Sequence, residues 1–176
     1  MVNSNDLTAD IRAMKVIFRA FGTGLLMVTG IFLFLHFKQN IELEYDTKMA
    51  EKFEPVLSVA WIVLLVLSSL SILFHQALVR FFTDRTLHTK EMMAVNWSAE
   101  KYRDERFAAF RSAKLIGYAV CEAPALLSLI GFFMSSSFGL IQGTDYHFYF
   151  LASPVVTAAF MFLSVPDEQM VNEVLG

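Results

Sequence analysis

Four stretches of this chain stay apolar for long enough to cross a bilayer core, which takes about 20 residues in helical form. They are residues 20–37, 55–79, 115–140 and 146–165, and only Glu122 interrupts them with a formal charge. Helix is the required state, because a segment in hydrocarbon must satisfy its own backbone N–H and C=O groups. The pattern predicts an all-α polytopic membrane protein with four transmembrane helices in one domain, residues 1–176. A long cytoplasmic amphipathic connection, 80–114, separates the second and third spans.

That connection mixes Phe81, Phe82, Met92, Met93, Trp97, Tyr102, Phe107 and Phe110 with cations and acids, the composition of amphipathic helix at a membrane surface. Ser98 is suited to cap a helix, with Glu100 in its first turn where a helix N-terminus favours negative charge. Nothing between Ser98 and Leu115 breaks a helix, so the third span is expected to begin outside the membrane and run to about Met134. That is about 55 Å at 1.5 Å per residue. After the fourth span, Pro166 followed by Asp167 and Glu168 reads as the start of a short tail helix. The segment from Asp145 to Tyr149 reads as an interfacial aromatic belt.

Composition agrees with the pattern: 56% of residues are hydrophobic, 18 are Phe, and mean hydropathy is +0.51. The net charge of −3 matters less than where the cations fall. Three Lys or Arg precede the first span, three follow it, eight lie between Arg80 and Lys114, and none comes later. The positive-inside rule then puts both termini and the middle connection in the cytoplasm. Arg12, Lys15 and Arg19 precede the first span as in a signal peptide, but Lys38-Gln39-Asn40 follows it with no small-residue cleavage site. The first span is therefore expected to be a retained anchor.

Several function classes are disfavoured. Cys121 is the one cysteine, so an intrachain disulfide is impossible. No serine elbow, paired-carboxylate, His-x3-His or phosphate-loop pattern occurs, which argues against an enzyme or a cofactor. Glu42, Glu44 and Asp46 lack the Gly and distal Glu of a calcium loop. No basic domain or nucleic-acid motif is present. His36 and His147 both fall at outer span ends, and a bis-histidine haem there is a residual reading only.

The candidate chemistry lies on the third span. Ala113, Gly117, Cys121 and Ala125 recur every four residues, a stripe that lets another helix approach closely. Glu122 lies beside it, and Pro124 removes the N–H that would have bonded the Val120 carbonyl. Counting back along the second span puts Ser71 near the depth of Glu122, with Ser68 deeper and His75 shallower on the same face. Thr157 on the fourth span and Thr29 on the first fall near that layer. Two readings follow. Glu122 is a protonated, hydrogen-bonded packing group, or it carries a proton or cation with Ser71, Ser68, His75 and Thr157 around it.

From Phe110 onward the chain resembles a group of small, uncharacterised four-span bacterial membrane proteins. The residues that carry the resemblance are Lys114, Tyr118-Ala119, the run Glu122-Ala123-Pro124-Ala125-Leu126, and a last span closed by Pro166 with an acidic, Leu-containing tail. The resemblance implies the four-span fold and no activity. Glu122-Ala123 before a Leu-rich half-helix is also similar to the ion-carrying helix of rotary-ATPase proteolipids, which implies a proton on Glu122, although the Gly-rich helix of that family is missing. The expectation drawn from all of this is a non-enzymatic accessory or scaffolding subunit that packs against lipid and against partner helices or further copies of itself. The alternative is a small component that moves protons or cations through Glu122.

Overall fold

The computed structural model describes residues 4–39, 47–93, 97–137, 145–166 and 171. They form helices α1 (Ser4–Gln39), α2 (Thr47–Met93), α3 (Ala99–Ser137) and α4 (Ala152–Leu163), with a 3-10 segment, Asp145–Leu151, leading into α4. No strand occurs among the described residues. The acids Glu42, Glu44 and Asp46 and, apart from Pro166 and Val171, the tail lie outside the described residues.

Three helical stretches are long and apolar enough to cross a membrane: Ala9–Lys38, Glu51–Met92 and Ala99–Ser137. The fourth apolar stretch, Phe148–Leu163, is shorter than the span expected over 146–165. Pro154 has a local reason to sit where it does. It removes the N–H that would have bonded the Phe150 carbonyl four residues back, and the Ser128 hydroxyl donates to that carbonyl at 2.8 Å instead.

Residues 80–93 continue α2 and residues 99–114 open α3, because neither Gly nor Pro occurs from Val56 to Met93 or from Ala99 to Ile116. Ser98 caps α3: its hydroxyl accepts from the Lys101 N–H at 3.3 Å, and its carbonyl accepts from the Tyr102 N–H at 3.0 Å. Lys90 and Glu105 form an ion pair across the hairpin.

Named contacts fix the register. α2 is antiparallel to α3, with Lys90 beside Glu105, Val79 beside Gly117 and His75 beside Cys121. α1 is parallel to α3 at an offset of 100 residues: His36 meets Ser136 and Phe18 meets Tyr118. The 3-10 segment and α4 return antiparallel, with Phe150 against Gly131 and Ser164, just past the end of α4, against Tyr118.

The interior is filled in layers. Ile11, Met14 and Phe18 of α1 pack with Val79, Phe107, Phe110, Ala113, Tyr118, Met161 and Val171 at the end where the cations concentrate. Leu25, Ala125, Leu129 and Ala158 fill the middle. Leu57, Phe132 and Phe150 fill the far end. Outside, α2 presents Val59, Ile62, Val63, Val66, Leu67, Leu70, Leu73 and Phe74, all exposed. A continuous apolar face of that size is unsuited to water and suited to lipid.

Candidate functional site: a polar seam and the Glu122 groove

The stripe on α3 is buried along its whole length, with Ala113, Cys121 and Ala125 each at most 1% exposed. Its neighbour at Gly117 is α2: a Cβ added there would stand 2.8 Å from His75 Cε1 and 3.1 Å from Val79 Cγ2. Farther along, Ala125 meets Leu25 and Ala158. A second close approach was not foreseen. A Cβ on Gly131 would stand 2.6 Å from Phe150 Cε1, so this glycine admits the 3-10 segment.

Hydroxyls lace the helices together. Ser68 and Ser153 share a hydrogen bond at 2.5 Å, Ser128 donates to the Phe150 carbonyl at 2.8 Å, and His36 Nδ1 meets the Ser136 hydroxyl at 2.6 Å. Tyr118 donates to the Ser164 carbonyl at 2.8 Å. Ser71 donates to the Ser68 carbonyl at 2.8 Å and also reaches the Cys121 thiol of α3, while Thr29 donates within its own helix to the Leu25 carbonyl at 2.8 Å. Such bonds satisfy a hydroxyl in hydrocarbon without a partner helix.

Of the residues expected around Glu122, the structure brings Ser68 and His75 into the seam, facing Ser153 and Cys121 respectively. Ser71 and His75 of α2 both reach Cys121, one residue from Glu122, so the two lie on either side of the level of Glu122. Thr157 is fully buried, and its hydroxyl has no hydrogen-bond partner among the described residues. Glu122 stands apart from this group. It lines a groove of about 380 Å3 with Ile17, Ala20, Phe21 and Gly24 of α1. Among the described residues its carboxyl meets no hydrogen-bond donor and no cation. His36 is buried against Phe132 and Phe148, and the side chain of His147 lies outside the described set.

The buried charge is a finding the apolar-run reading missed. Lys114 is 0% exposed, and its Nζ lies 5.8 Å from the Tyr118 ring centroid with no hydrogen-bond partner among the described residues. His75 Nε2 is likewise unpartnered, and the His75 ring lies 5.1 Å from that of Tyr118. A signal was available. Phe107, Phe110, Lys114, Tyr118 and Cys121 recur every three to four residues, which puts Lys114 on the face that α3 buries. The cation–π contact with Tyr118 accounts for part of its stabilisation.

Comparison with known proteins finds no matching family model, no matching curated protein and no matching solved structure.

Proposed function

We propose that this protein is a non-enzymatic accessory or scaffolding subunit of a bacterial inner membrane, and that it seats one helix of a partner in the groove between α1 and α3. One observation carries the reading: Glu122, an intramembrane carboxyl without a partner among the described residues, lies in a groove whose other wall includes Ala20 and Gly24. Ionisable groups in membrane helices usually face another protein group, and small residues set the distance at which helices meet. The chain itself leaves this space open, since a Cβ on Gly24 would meet nothing within 4 Å. In this reading both termini are cytoplasmic and the chain crosses four times. In support, the 3-10 segment and α4 together span about 32 Å at 2.0 and 1.5 Å per residue, close to the thickness of a bilayer core.

The transport alternative draws less support, because the residues that share the groove with Glu122, namely Ile17, Ala20, Phe21 and Gly24, carry no polar side chain.

The test is co-purification in mild detergent. Gly24→Leu and Glu122→Leu change residues that contact little within the chain, so each should leave the thermal midpoint of the isolated protein within a few degrees of wild type. Each should also cut the recovered partner at least tenfold. Undiminished recovery with both variants would remove the groove from the account.

A further inference from the structure

We infer that the helix seated in this groove carries a lysine or arginine at the level of Glu122; the inference rests on the partner-helix reading of the groove. Ile17, Ala20, Phe21 and Gly24 offer the carboxylate no side-chain donor. Pro124 adds none, because the backbone group it frees, the Val120 carbonyl, is an acceptor. The chain's nearest cations on α1 are Arg12, Lys15 and Arg19. Their spacing of three to four residues puts them on a different face of α1 from Ile17, Ala20, Phe21 and Gly24.

A helix laid against Ala20 and Gly24 covers the carboxylate and strips it of whatever water or headgroup contact it has. An enclosed carboxyl either loses its charge by taking up a proton or meets a counter-charge, and an ammonium or guanidinium keeps it ionised in a charge-assisted hydrogen bond about twice as strong as a neutral one. Depth makes the cation feasible. The offset between α1 and α3 sets Glu122 opposite Gly22. That is three residues, or about 5 Å, farther into the membrane than Arg19. A lysine so near the boundary keeps its ammonium within reach of the interface while its stem lies in hydrocarbon.

The full-length protein, labelled with a donor fluorophore, is reconstituted in phosphatidylcholine vesicles with acceptor-labelled Leu/Ala host helices. The hosts differ at one position, a turn inside the cytoplasmic boundary, which holds Lys, Gln or Leu. Energy transfer should show the Lys helix associating at least tenfold more tightly than the Leu and Gln helices. That advantage should vanish with Glu122→Gln, while Gly24→Leu should weaken all three. Equal binding of the Lys and Gln or Lys and Leu helices, or a Lys advantage that survives Glu122→Gln, overturns the cation and leaves the groove standing. Failure of every helix to bind, or binding indifferent to Gly24→Leu, overturns the groove reading and the cation with it.

Discussion

Gly117→Leu is expected to unfold the bundle or leave it too unstable to purify, with a loss of about 3 kcal/mol or more. Even the first added carbon would stand 2.8 Å from His75 Cε1, 3.0 Å from His75 Nδ1 and 3.1 Å from Val79 Cγ2. His75 cannot swing away freely, because its ring is held among Tyr118, Phe160 and Cys121. Relief would require α2 and α3 to separate along their contact, which opens voids in a close-packed interior. Thermal unfolding in detergent measures the effect, with Gly30→Leu as the control, since a Cβ on Gly30 meets nothing within 4 Å. Equal behaviour of the two variants would mean that the α2–α3 contact at Gly117 is not tight.

Lys114→Met should move stability the other way. Methionine preserves the length of the side chain and removes an ammonium that is 0% exposed and unpartnered among the described residues. Replacing even a buried ion pair with well-packed apolar side chains of similar volume is often neutral or stabilising by about 1–4 kcal/mol, and an ammonium without a counter-charge gives up less when it is removed. The cation–π contact with Tyr118 offsets part of that gain, so an increase of about 1–2 kcal/mol is expected in the same assay. A loss of stability would show that the ammonium is held by an interaction stronger than the Tyr118 ring supplies. Lys114→Ala is a poor substitute, because it would add a cavity to the change of charge.

The long apolar runs made three of the helices legible, since hydrocarbon admits few alternatives to helix. The small stripe on α3 was legible for a related reason: missing side chains at four-residue spacing are useful only where something approaches. What the stripe meets was not legible, because His75 and Val79 come from α2 and their level depends on the pairing of the two helices.

Two features were hidden for other reasons. Winding Asp145–Leu151 as 3-10 helix alters the rise per residue, and an apolar run reads the same in either form. The separation of Glu122 from the hydroxyls is angular. Cys121 faces His75, and one residue onward, at about 100° around the axis, Glu122 faces α1. Depth arithmetic places residues along a helix and says nothing of the direction in which they point.

The central claim is that the Glu122 groove is filled by a partner helix, and the most direct measurement is photo-crosslinking in native membranes. A photoreactive amino acid at Gly24, inside the groove, is compared with one at Leu73, which is 74% exposed on α2. The account predicts one discrete protein adduct from position 24, lost when Glu122→Leu is added, and only lipid adducts from position 73. The same adduct pattern from both positions, or an adduct at position 24 that is indifferent to Glu122→Leu, would contradict it.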